Sequence, residues 1–61
     1  MKVKIVNRTD LQQFIDCGGG KKPEDIVPIP PKATIIVEML NEKVFIDNAK
    51  KYKNKLILRK L

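Results

Sequence analysis

The sequence contains no histidine and no tryptophan, and among its 61 residues it has one cysteine, one tyrosine and two phenylalanines. Each absence removes a class of function. Without histidine there is no side chain whose ordinary pKa suits general base work near neutral pH. With Cys17 alone, no intramolecular disulfide can form, and one thiol among scattered carboxylates does not make a zinc site. No run of about 18 apolar residues exists to cross a bilayer as a helix, and Met1-Lys2-Val3-Lys4 lacks the apolar stretch of a signal peptide. The expectation is a cytosolic origin with no membrane association. A chain this short forms one domain and removes only about 60% of its extended-chain surface from water. Domains of that size usually need a staple. With disulfide and metal eliminated, a partner surface or self-association is left to supply it.

What is present is lysine. The net charge is +6, and it is unevenly placed: residues 1–40 carry six Lys or Arg against five Asp or Glu, whereas residues 41–61 carry seven against two. A solvated lysine-rich face accounts for this, and so does an electrostatic contact with nucleic acid or an acidic protein surface.

The chain is organised around Val27-Pro28-Ile29-Pro30-Pro31-Lys32-Ala33, which leads into its most apolar run, Thr34-Ile35-Ile36-Val37-Glu38-Met39-Leu40. Proline fixes φ and biases the residue before it to extended conformations, so this is a stiff lead-in to a strand. Because prolines donate no ladder hydrogen bonds, it belongs on a sheet edge or in a crossing loop, with the regular strand starting after Pro31. Ile35, Val37 and Met39 share one face of that strand; Thr34, Ile36, Glu38 and Leu40 share the other. Both faces are largely apolar, which predicts covering on both sides, between layers of the fold or against a partner chain.

Elsewhere, residues 2–6 alternate with Val3 and Ile5 on one side and Lys2 and Lys4 on the other, the signature of a half-buried strand. Asn7 to Asp10 reads as a turn, and residues 11–16 as a second strand with Leu11 and Ile15 on one face and Phe14 on the other, which predicts a hairpin. Residues 17–25 contain Gly18-Gly19-Gly20 and break any regular element, so a flexible loop is expected. Asn41 can cap a short helix over about residues 41–53, with Phe45, Ala49 and Tyr52 on one face, although Val44-Phe45-Ile46 also fits a short strand. Asn54 falls near its C-terminal cap. Residues 55–60 close the chain as a strand, with Leu56 and Leu58 inward and Lys55, Ile57 and Arg59 on the opposite face.

No catalytic constellation emerges. Glycines followed by Lys21 resemble part of a P-loop, but position 15 is Ile and position 22 is Lys where that motif needs Gly and Ser or Thr. Cys17 has no imidazole beside it, and Glu24-Asp25 next to Pro23 is turn chemistry. No enzyme, no cofactor and no small-molecule substrate are expected. Lys50, Lys51, Lys53, Lys55, Arg59 and Lys60 could neutralise phosphates, with Tyr52 among them to stack, but one arginine reads few bases and the aromatic-rich sheets of RNA-binding modules are absent. An interaction protein needs the fewest further assumptions.

The order of features resembles a group of very small bacteriophage virion proteins: a first strand ending in Asn (Val3 to Asn7), a second strand, a glycine loop, an Ile-x-Pro-Pro or Ile-x-Pro-Gly entry to which Ile29-Pro30-Pro31 is the nearest match, an apolar strand, a short helix and a terminal strand. The resemblance spans nearly the whole chain through short motifs; Asn54 stands where a glycine often precedes the last strand. It implies a non-enzymatic decoration, cement or head–tail connector subunit located in the virion and bound to larger virion or capsid proteins. The resulting expectation is a β-rich α+β domain, a small, partly open barrel or sandwich of about four strands with one short helix. Partner binding is expected through Pro28, Ile29, Pro30, Pro31, Ile36 and Glu38, and the alternative is a small basic nucleic-acid-binding module.

Overall fold

A computed structural model describes residues 1–61. Five strands and one helix follow in the order β1 (Lys2–Asn7), β2 (Gln13–Asp16), β3 (Ile26–Ile29), β4 (Thr34–Glu38), α1 (Glu42–Lys51) and β5 (Leu56–Lys60). They form a three-stranded antiparallel sheet, β4-β1-β5, and a two-stranded antiparallel sheet, β2-β3. The β-rich α+β fold expected from the sequence is present, with five strands rather than four and with no closed barrel.

The alternation in β1 makes it the central strand. Val3 and Ile5 are fully buried while Lys2 and Lys4, which alternate with them, are exposed. Opposite residues in antiparallel strands share a face. Ile5 therefore stands between Ile35 and Leu58 on the inner side, and Lys4 between Ile36 and Arg59 on the outer side. The core gathers Val3, Ile5 and Leu56 from this sheet, Ile15 and Ile29 from the other, and Cys17, Met39 and Val44 from the connections and the helix.

The predicted β1-β2 hairpin does not form, because both edges of β1 are taken by β4 and β5. Asn7 turns the chain out of the sheet. Its Oδ1 accepts from the N–H and the hydroxyl of Thr9, and its Nδ2 donates to the carbonyls of Leu11, Ile29 and Pro30. The second strand is accordingly shorter than residues 11–16, and Leu11 lies outside it and exposed.

β2 pairs instead with β3, inside the proline-rich lead-in. The Cys17 N–H donates to the Asp25 carbonyl, and the same ladder continues through Ile15 opposite Val27 and Gln13 opposite Ile29. Pro28, opposite Phe14, falls at an alternate position whose N–H would point away from β2, so its missing donor costs nothing there. The lead-in thus ends as an edge strand. Pro30 to Ala33 then turns with Pro31 second, Lys32 third at φ 60°, and the Ala33 N–H on the Pro30 carbonyl, in the type II pattern. β4 starts immediately after it.

The helix begins at its predicted cap: Asn41 Oδ1 accepts the Val44 N–H at 3.0 Å. Its buried residues are Val44 and Asn48, with Phe45 half-buried beside them. Asn48 donates to the carbonyl of Asp16, tying the helix to the end of β2. The C-terminal cap is Tyr52, not Asn54, and Asn54 is absent from the positions with positive φ. The loop after β2 is likewise organised rather than featureless. One Asp16 oxygen accepts from the N–H groups of Gly18 and Gly19 and the other from that of Lys21. Gly19, at φ +77°, supplies a left-handed conformation that a side chain would strain.

Candidate partner-binding surface

A sheet with one face in the core leaves the other to water unless something covers it. The inner face of β4-β1-β5 meets β2, β3 and α1 around one core, and no element of the chain lies over the outer face. Reading across the sheet, Ile36, Lys4 and Arg59 form one row and Thr34, Val6 and Ile57 the next, with Glu38 beside Lys2 at one end. Ile36 is 62% exposed and Ile57 39%. Lys4, Val6, Ile57 and Arg59 line a shallow hollow of about 200 Å³. Two exposed branched side chains therefore sit among the cations Lys2, Lys4 and Arg59, in a flat array set by backbone pairing.

The only acidic side chain among these rows is already engaged. Glu38 lies 2.6 Å from the Met1 ammonium, whose hydrogen bond and charge hold the carboxyl below the usual glutamate range. The ammonium also donates to the Met39 carbonyl, at 2.7 Å. The face is thus positive around an apolar centre, an arrangement suited to an acidic surface that carries its own apolar contact.

The residues expected to bind a partner are not brought together. Ile29 is fully buried and offers no atom to a partner. Pro28 is exposed on the outer face of the two-stranded sheet, opposite Phe14, and Pro30 and Pro31 are exposed in the turn between the sheets. Ile36 and Glu38 lie on the open face of the three-stranded sheet, on the far side of the core from Pro28. The expected covering of β4 on both sides is also not present: Ile35 and Val37 face inward and are half-buried, and Ile36 stands in the open.

The basic residues divide as well. Lys50, Lys51 and Lys53 cluster at the C-terminal end of α1. Lys51 sits 5.4 Å above the Tyr52 ring, and the Tyr52 hydroxyl donates to the Phe14 carbonyl, fixing the ring in the fold. Lys60 points to the inner side of β5, 2.6 Å from Glu42 and 5.5 Å from the centre of the Phe45 ring. Arg59 belongs with Ile57 to the open face, and Lys55 is exposed in the turn just before β5. Lys2, Lys4 and Val6 complete that face and were not singled out in the sequence, where Lys2 and Lys4 read only as the solvated side of a strand. Their neighbours on the face come from residues 34–38 and 57–59, and only the pairing shows this.

The largest hollow, about 490 Å³, is lined by residues including Met1, Cys17, Asp25, Glu38 and Met39. Burial, then the charges of Asp16 and Asp25, push the Cys17 thiol above its ordinary range, which keeps it protonated and weakly nucleophilic at neutral pH. No group of three or more His, Cys, Asp or Glu is placed to hold a metal ion. No helix is long and apolar enough to cross a membrane. Comparison with family models, with curated proteins and with solved structures gives no match to this chain.

Proposed function

We propose that the chain is a non-catalytic binding subunit that docks through the open face of its three-stranded sheet onto the acidic surface of a larger protein, as an accessory component of a virus particle. The observation that carries the docking surface is the row Ile36, Lys4, Arg59: an apolar side chain and two cations on an uncovered sheet. The net charge of +6 favours an acidic partner. The virion setting is supported by the order of strands, glycine loop, proline lead-in and helix that resembles small phage virion proteins.

The test is the abundance of this chain in purified virus particles from its source, counted by mass spectrometry against the major shell protein. A fixed ratio, reproduced between preparations, is the result this reading requires. Absence from the particles contradicts it and turns attention to salt-titrated nucleic-acid binding through Lys50, Lys51 and Lys53, which stand together and form no ion pair.

A further inference from the structure

The two edges of the three-stranded sheet are differently protected. β5 carries Arg59 and Lys60 and packs beside α1. β3, an edge of the other sheet, carries Pro28. β4 reads Thr-Ile-Ile-Val-Glu, with no lysine, no arginine and no proline. Lysine, proline and a covering helix or loop are the usual ways to keep a strand edge from pairing; along Thr34–Glu38 β4 has none of them, and a loop meets this edge only past its end, where the Leu40 N–H donates to the Cys17 carbonyl. Its pairing with β1 is flanked by the bonds from the Asn7 N–H to the Ala33 carbonyl and from the Met39 N–H to the Met1 carbonyl, so the odd-numbered residues address β1. The N–H and C=O groups of Thr34, Ile36 and Glu38 then point out of the sheet, unpaired within the chain.

We infer that β4 pairs with β4 of a second copy of this chain, antiparallel about a two-fold axis at Ile36, joining two three-stranded sheets into one of six strands. The sequence of β4 is complementary to itself in that register. Ile36 stands opposite Ile36 of the second copy, and Thr34 opposite Glu38, which satisfies the outward N–H and C=O groups of all three residues in both copies. On the outer face the two Ile36 side chains meet. On the inner face Ile35 meets Val37, and both are half-exposed at this edge in the single chain. The Thr34 hydroxyl can donate to the Glu38 oxygen that the Met1 ammonium leaves free. No pair sets like charges against each other, whereas the same operation on β5, about Leu58, would set Lys60 against Leu56 and Arg59 against Ile57, a cation against an apolar side chain at each flanking pair. One short strand pair buries little area, so the association is weak. This inference is independent of the particle reading and extends the docking face across both copies.

The test combines mass in solution with amide exchange. As the protein is concentrated from micromolar to millimolar, the mass rises towards twice 7.0 kDa, and the amides of residues 34, 36 and 38 slow by about tenfold while those of 35 and 37 stay protected throughout. Ile36→Lys leaves residues 35 and 37 protected, which shows that it folds, and abolishes both changes. Ile57→Lys, on the same face but the other edge strand, keeps both. A monomer at every concentration overturns the inference, as does a dimer that survives Ile36→Lys or is lost equally with Ile57→Lys.

Discussion

The two sheets of this domain are held by different physics. The three-stranded sheet is built by alternation: β1 puts Val3 and Ile5 inward and Lys2 and Lys4 outward, and its neighbours follow the same period. The two-stranded sheet has four residues in each strand, and its position is fixed by side chains that bond backbone groups at a distance. Asn7 ties β1 to the end of β3, Asn48 ties the helix to Asp16, the Tyr52 hydroxyl reaches the Phe14 carbonyl, and Asp16 gathers the glycine loop. A hydrophobic period tolerates many residues of similar size; a buried amide that satisfies several partners tolerates almost none.

That contrast predicts where the domain breaks first. A chain this long has a stability of roughly 3–9 kcal/mol. Asn7→Ala deletes a buried side chain and leaves the carbonyls of Ile29 and Pro30 without its donor, at about 3 kcal/mol. Chemical denaturation should show a much lower midpoint or no folded state. Asn7→Asp, which keeps the shape and loses the donor, should be nearly as damaging; if it is harmless, packing and not hydrogen bonding holds this site. Asn48→Ala removes the tie between helix and β2 at about 1–2 kcal/mol, read in the same titration.

Acid should reveal the next smaller effect. The N–H of Lys21 above all, with those of Gly18 and Gly19 and the charge of Lys51, holds the Asp16 carboxyl below the usual aspartate range. A carboxyl whose folded pKa lies below its unfolded one adds stability that is present above the unfolded value and lost as pH falls through the folded one. Unfolding midpoints measured from neutral to strongly acidic pH should therefore fall below about pH 4, and Asp16→Asn should flatten part of that fall by up to about one proton. The residual slope belongs to Glu38, depressed by the Met1 ammonium. A variant with an unchanged slope would show that the loop does not depend on the carboxylate. Smallest of all, Lys4→Glu and Arg59→Glu on the open face should shift stability by less than about 0.5 kcal/mol, because both are exposed and make no hydrogen bond or ion pair in the fold.

The same division explains what was legible in the sequence. The alternation of residues 2–6, a strand within the apolar run 34–40, the cap at Asn41 and the inward Leu56 and Leu58 each depend on local pattern, and each is found in the fold, the strand ending at Glu38 rather than Leu40. The β1-β2 hairpin was misread because adjacency suggested it, whereas Asn7 turns the chain away using acceptors 22 and 23 residues distant. A two-residue pattern cannot announce such a partner. The strand within Ile26–Ile29 was hidden by Pro28, whose harmlessness depends on which side of the strand its nitrogen faces. The binding surface suffered most. Pro28, Ile29 and Ile36 lie close in sequence, yet alternation along β3 puts Pro28 on its outer face and Ile29 in the core, and the turn at Pro31-Lys32 sends Ile36 to the open face of the other sheet. Lys4 and Arg59 are 55 residues apart in sequence and adjacent on the sheet.

The most direct test of the open face as the docking surface is lysine reactivity in the free chain and in assembled particles, read residue by residue after brief acetylation. Docking through the open face predicts that Lys2 and Lys4 lose reactivity on assembly, while Lys50 and Lys53, on the helix end, keep theirs. Protection of Lys50 and Lys53 with Lys2 and Lys4 still reactive would contradict it, and would place the contact on the basic end of the helix instead.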